Sequence, residues 1–336
     1  MKGTVSAGFA GHLMRFAISQ GADPKALAER SAISPEALRD PDGRIPLRSY
    51  VALMGAAKAL CAAPDLALRL GAERDSREIS LVGLICYAAP TMGEALKELN
   101  RYGRLALEVD IPAGKTRFQI TPHGDALWMV DTRTNPNAFP ELTESTWSRF
   151  IGETARHFPG APFAKAVHVT HARPAHGADY EALWKVPVTF EADWNAIQID
   201  PSWLNLPLHN PSSYAFGVLS QRADRLLAEL EASRTARGRV EAALLPVLHK
   251  GEPGMVKVAV QLGVSRQTLY RQLHQENVTY KAVVDALRHT LALHYLNGGK
   301  VSVNETAYLV GFSDPSAFSR AFKRWTGSSP KAARAG

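Results

Sequence analysis

The sequence predicts an α+β domain followed by an all-α domain. Three observations carry that reading. Capped stretches of helical periodicity fill about residues 8 to 107, alternating stretches cluster from about 108 to 200, and the last third returns to short helices. Helices followed by grouped strands, rather than a regular strand–helix alternation, point to α+β packing. With 336 residues, 46% of them hydrophobic and 21% charged, the chain can bury more than one core.

The first stretch reads as "GFAGHLMRFAISQG", "DPKALAERSA", "SPEALRD", "PLRSYVALMGAAKALC", "DLALRLGAE" and "TMGEALKELNRYGRLA", with Gly, Pro or Asp at the breaks. "TRFQITPHGDALWMVDTR" predicts a hairpin turning at Pro122-His123-Gly124-Asp125. "FAKAVHVTHA", "PVTFEA" and "AIQIDP" predict further strands, and "PELTESTWSRFIGETARHF" a helix among them. A break follows at 208 to 213 in "LHNPSS". Phe216, Leu219, Ala223, Leu226 and Leu230 then recur at spacings of three and four, a short heptad seam. Periodicity alone fits a connector helix packed on its own domain and a dimer contact equally. "EASRTARGR" reads as a polar linker. The expected division is 1–210, a connector and linker over 211–236, and a last domain over 237–336.

The last domain contains an internal repeat. Ala259-x-x-x-Gly263-Val264-Ser265 returns as Ala307-x-x-x-Gly311-Phe312-Ser313, each copy between two short helices. Glycine permits a left-handed turn and serine caps the next helix, so each copy predicts a helix-turn-helix. In the second copy Ser313 is the expected cap, followed by Asp314 and Pro315. "TYKAVVDALRHTLALHYLNGG" predicts a connector between the copies, starting at Thr279 and ending at Gly298-Gly299, with Val284, Leu287, Leu291 and Tyr295 as its apolar face. About 18 helical residues span about 27 Å. Two reading helices on one face of B-DNA lie about 34 Å apart, so the connector has a suitable length.

Charge agrees with that reading. From Thr235 onward there are 14 Lys and Arg against 6 Asp and Glu, an excess of eight; the other 234 residues hold 25 against 26. The net charge of +7 therefore belongs to the last third, and a basic excess confined to one domain points to a polyanion, most often nucleic acid. In "GFSDPSAFSRAFKRWTG", Ala317, Phe318, Ala321, Phe322 and Trp325 form one helix face, with Arg320, Lys323 and Arg324 opposite. In the first copy Leu269 and Leu273 face inward while Gln267, Tyr270, Arg271 and His274 face out.

"SVNETAYLVGFSDPSAFSRAFKRWTGSSP" and "VAVQLGVSRQTLYRQL" resemble the paired helix-turn-helix units of the AraC/XylS family of transcriptional regulators, over roughly Val240 to Arg334. Thr306 and Ala333 depart from that pattern, where the family usually carries Ile or Val and an aromatic residue. "LRDPDGRIPLRSYVALMGAA", "ISLVGLICYAAPTMGEAL" and "VHVTHARP…YEALWKVPVTFEADWNAIQI" resemble the arabinose-binding-type companion domain of that family's OruR- and VirS-like branch. The resemblance implies a sensing and dimerising N-terminal domain and a DNA-binding C-terminal one. It implies base-facing positions for Gln267, Tyr270, Arg271, Ser316, Ser319 and Arg320, and adds Arg266, Lys323 and Arg324 to the DNA-facing set. Arginine can read guanine and glutamine adenine, whereas later cations on a reading helix more often meet phosphate. Double-stranded DNA, RNA polymerase, a small-molecule effector and a second copy of the chain are the expected partners.

Other readings use other residues. "LAERSAISPEAL" also looks like helix, turn, capped helix, but its surroundings over 23–44 carry four basic against five acidic residues and would gain little from phosphate. His168, His171 and His176 suggest a metal site. In a strand, however, His168 and His171 point to opposite faces, and no nearby carboxylate or cysteine completes a set. No metal or cofactor is expected. Cys61 and Cys86 lack metal-ligand spacing. No Walker loop, nucleophile elbow or GxGxxG is present, so an enzyme is not expected. No apolar run approaches the roughly 20 residues of a membrane span, and the start lacks a signal-peptide core, so a cytoplasmic protein is expected. A regulator without a ligand, answering to a protein partner or to its own abundance, is the alternative.

Overall fold

A computed structural model describes residues 3–73, 75–161, 163–208, 213–297 and 301–335. Most of the break expected at 208–213, and Gly298-Gly299, lie outside the described residues. The chain divides into two compact units, Met1–Leu227 and Ala228–Gly336. The helices of the first unit are α1 (Ala7–Ser19), α2 (Pro24–Ser31), α3 (Leu47–Leu60), α4 (Leu66–Glu73), α5 (Leu81–Ala88), α6 (Met92–Ala106), α7 (Pro140–His157) and α8 (Gly177–Trp184). Its strands are β1 (Thr4–Ser6), β2 (Arg44–Pro46), β3 (Phe118–His123), β4 (Ala126–Asp131), β5 (Ala164–His168), β6 (Val188–Thr189) and β7 (Asn195–Ile199). Helix α9 (Ser213–Arg234) crosses from one unit into the other.

The first unit is α+β, as the sequence predicts. One core gathers α1, α3 and α4 around Leu13, Leu53, Leu66 and Leu27 of α2. The second lies under a five-stranded sheet of order β3-β4-β7-β5-β6, antiparallel except for β5 and β6. Met129, Ile197 and Val167 face one another across three adjacent strands and are fully buried. With Trp147, Tyr180 and Trp203, which lie off the strands, they form the core beneath the sheet. The hairpin is tighter than expected: Pro122 and His123 stay in β3, leaving Gly124-Asp125 as the turn. Proline is tolerated there because β3 is an edge strand.

Two expectations need correction. Arg44–Pro46, inside the stretch read as helical, is instead a strand that pairs with Thr4–Ser6, ahead of that stretch, in a two-stranded sheet too short to carry a readable alternation. Arg44 helps hold it, donating to the Thr4 hydroxyl at 2.9 Å and to the Thr4 carbonyl at 3.1 Å. The polar stretch 231–239 is not an extended linker. α9 runs to Arg234, Thr235 caps the next helix, α10 (Ala236–Leu244), and accepts from the Gly238 amide at 2.9 Å. A cap between two helices looks, in sequence, like any polar break.

The second unit contains α10, α11 (Met255–Gln261), α12 (Arg266–Gln275), α13 (Tyr280–Asn297), α14 (Val303–Leu309), α15 (Pro315–Thr326) and α16 (Pro330–Ala335). It has two small cores. Val240, Leu244, Val258, Leu269, Leu273 and Val284 make the first; Ala292, Leu296, Ala307, Val310, Phe318 and Phe322 make the second. Leu291 of α13 packs against both, so the connector joins the halves through its own side chains. Of the seam on α9, Ala223 and Leu230 are buried within the chain and Phe216, Leu219 and Leu226 half-buried, which favours a packed connector.

Candidate nucleic-acid interface

The repeat in the sequence is a repeat in space. At the end of α11, the Gly263 amide donates to Val260 O and the Val264 amide to Ala259 O, both at 3.0 Å. At the end of α14, the Gly311 amide donates to Tyr308 O and the Phe312 amide to Ala307 O, both at 2.9 Å. Gly263 has φ 67° and Gly311 φ 81°, the left-handed geometry that closes a helix C-terminus. Ala259 and Ala307 are both buried beneath these turns.

The second reading helix starts one residue later than expected. Asp314, not Ser313, is its cap, accepting from the Ser316 and Ala317 amides at 3.0 Å. Pro315 takes the first helical position, where no amide partner is missed. Those two amides hold the Asp314 carboxyl below its ordinary pKa. Counted from Ser265 and Asp314, the two helices come into register: Gln267 with Ser316, Leu269 with Phe318, Tyr270 with Ser319, Arg271 with Arg320, Leu273 with Phe322 and His274 with Lys323. The extra residue of the second copy is taken up in its turn.

Leu269, Leu273, Phe318, Ala321 and Phe322 are buried and form the inner faces of the two helices. Arg266, Gln267, Tyr270, Arg271, Ser316, Arg320, Lys323 and Arg324 are exposed, and Ser319 is half-buried. Tyr270 is 59% exposed, unusual for an aromatic residue. Arg324 leans back, its Nη2 lying 3.5 Å from Asp285 on α13. The aromatic side of α15 holds it to the unit, and the polar side is left outward.

Two supports were not legible in the sequence. Arg288 of α13 donates to the carbonyls of Val310 and Gly311 at 3.1 Å, and its guanidinium lies 4.6 Å over the Phe312 ring. It locks the second turn to the connector. Glu276, just past α12, accepts from the first amides of α10, with Arg237 N at 3.0 Å. Both are charged residues in polar stretches, where a sequence offers no partner. Thr306, a departure from the family pattern, is fully buried and donates its hydroxyl to Ser302 O at 2.8 Å, so nothing polar is stranded.

The alternatives fare differently. After α2 and a left-handed Ala32, "SPEAL" makes only one 3-10 turn, Pro35–Leu38, too short to serve as a reading helix. His168 accepts from the Trp194 indole at 3.1 Å and packs 4.4 Å from Trp128. His171 and His176 flank Tyr180 instead. Among the described residues no group of three His, Cys, Asp or Glu is arranged to hold a metal, and no helix is long and apolar enough to cross a membrane.

A basic unit with two helix-turn-helix motifs in one register, following a mixed helix-and-sheet unit, is the make-up of a DNA-binding transcription regulator. The model for the arabinose-binding domain of AraC transcription regulators matches residues 21–208, and a helix-turn-helix domain model matches residues 258–336. The chain belongs to the AraC family of transcription regulators. Its relatives include the ornithine utilization regulator of Pseudomonas aeruginosa, 27% identical and covering 97% of this chain and 95% of that one. VirS of Mycobacterium tuberculosis is 25% identical, covering 94% of this chain and 92% of that one. The solved structure of the regulator CdpR from Pseudomonas aeruginosa aligns at 23% identity with a TM-score of 0.40, over 93% of this chain and 97% of that one.

Proposed function

We propose that the second unit reads two successive major grooves with α12 and α15, under the control of a small-molecule effector bound in the first unit. The observation that carries this is the shared register of two capped helices, each with a buried inner face and an arginine at the same outer position. Arg271 and Arg320 are the base readers in this reading, Gln267, Tyr270, Ser316 and Ser319 their neighbours, and Arg266 and Lys323 phosphate contacts. Arg324 reaches phosphate by leaving Asp285. A cavity in the first unit supports effector control: its lining is largely apolar with a few polar anchors, the usual make-up of a ligand site. It lies mainly among α5, α6 and α7, with β3 contributing Phe118. Homodimerisation, recruitment of RNA polymerase and a cytoplasmic site of action complete the reading.

Replacing Arg271 or Arg320 by alanine is expected to cost about 1 to 3 kcal/mol on the specific site and to relax base preference in one half only. Lys323→Ala is expected to weaken binding to all sequences and to lower the salt slope by about one unit. Binding titrations on operator variants, with protection footprints about 10 base pairs apart, test this. If both arginine variants disturb the same base pairs, or neither changes base preference, the two-groove reading is wrong.

A further inference from the structure

The cavity in the first unit has a volume of about 200 Å³, and the charged part of its lining is predominantly cationic. Met92, Leu96, Leu99, Phe118 and Phe150 supply much of the apolar wall. Arg104, Arg117 and Arg149 border it, against a single carboxylate, Glu153. That carboxylate is already engaged. Its Oε1 accepts from the Ser76 amide at 2.8 Å and from the Ser76 hydroxyl, and its Oε2 accepts from the Tyr87 hydroxyl at 2.9 Å.

Arg149 has no such partner. Its Nη1 is buried, with no hydrogen-bonding group in reach among the described residues, and its guanidinium lies 5.3 Å over the Phe9 ring. Burial pushes its pKa down, which Glu153 and Tyr50 only partly oppose. Arg117 is similar at Nε, also buried without a partner. Its Nη2 makes only long contacts, 3.4 Å to Asp131 and 3.3 Å to Thr146, and Asp131 is held more closely by Arg133 at 2.9 Å. Thr146, Arg149, Phe150 and Glu153 follow the spacing of one face of α7, so the guanidinium of Arg117 meets α7 one turn from Arg149. Buried guanidinium nitrogens without acceptors, in an apolar cavity, are costly unless an anion supplies them.

We propose that this cavity takes a compact organic acid, its carboxylate between Arg149 and Arg117 and its apolar body against α5 and α6. The proposal rests on the reading that the first unit binds an effector. A planar carboxylate matches the guanidinium fork. An added ammonium would find no free carboxylate, since Glu153 is spent on Ser76 and Tyr87. A 150 Å³ apolar cavity holds about one benzene, so this one suits on the order of ten non-hydrogen atoms.

Thermal unfolding of the full chain tests it, with octanoate and phenylacetate at millimolar concentration and their neutral amides as controls. At least one acid is expected to raise the midpoint with concentration while its amide does not. Arg149→Met is expected to lose that response yet melt no lower than the parent without ligand, since an unpaired buried charge is gone. If Arg149→Met fails to fold, Arg117→Gln decides, by weakening the acid at least tenfold or not. Equal shifts from acid and amide would overturn the acid while leaving an effector site in place. An acid response that survives in Arg149→Met, or a lower melting point for that variant alone, overturns it too. No shift from any of the four compounds counts against both the acid and the effector reading.

Discussion

Alanine at Gly311 is expected to disable the second helix-turn-helix, whereas alanine at Gly263 is expected to leave the first one folded. Both glycines adopt left-handed backbone, which costs an L-residue about 1 to 2 kcal/mol. They differ in what lies beside them. A Cβ on Gly263 meets open space, but one on Gly311 would stand 2.1 Å from the carbonyl oxygen of Leu248. That oxygen is backbone in the short turn Leu248–Lys250, and Arg288 holds the Gly311 carbonyl at 3.1 Å. Overpacking of this kind adds roughly 1 to 3 kcal/mol, so Gly311→Ala should lose on the order of 2 to 5 kcal/mol in all. Hydrogen exchange of the full chain is the measurement. Protection should collapse over residues 303–326 in Gly311→Ala and fall only modestly over 266–275 in Gly263→Ala. Equal losses at the two sites would contradict the packing described for the second turn.

Phe322→Ala is expected to lose about 3 to 5 kcal/mol, the usual cost of truncating a buried aromatic residue. Phe322 is fully buried in a core whose other buried members are Ala292, Leu296, Ala307, Val310 and Phe318. Its ring lies 5.7 Å from that of Phe318 and 6.3 Å from that of His289. Truncation removes a large contact between α15 and this core, so α15 should loosen on α13. The contrast with Arg320→Ala is the informative part. Both variants should lose specific DNA binding, but only Phe322→Ala should lose exchange protection in α15. Protection unchanged in Phe322→Ala would mean that the second core does not hold the reading helix.

The fold class, the two helix-turn-helix motifs and the outward faces of their second helices were determined by the sequence alone. These are local properties: the four-residue spacing of Leu269 and Leu273 and of Phe318 and Phe322, the paired glycines, and the basic excess confined to the last third are all read without long-range contacts. Contacts between distant residues were left to the tertiary structure. Three-residue strands carry no period, so the pairing of Thr4–Ser6 with Arg44–Pro46 appears only when the chain is folded. Ser313 and Asp314 are both good caps in sequence, and the geometry Pro315 requires chose the second. Arg288 looks like one more surface cation until the Val310 and Gly311 carbonyls stand beside it. Arg149 and Arg117 are 32 positions apart in polar-looking stretches, and only the packing of α7 against the end of β3 brings them to one cavity. Periodicity decides which side of an element faces inward; what waits for it there depends on long-range packing, which a single sequence does not display.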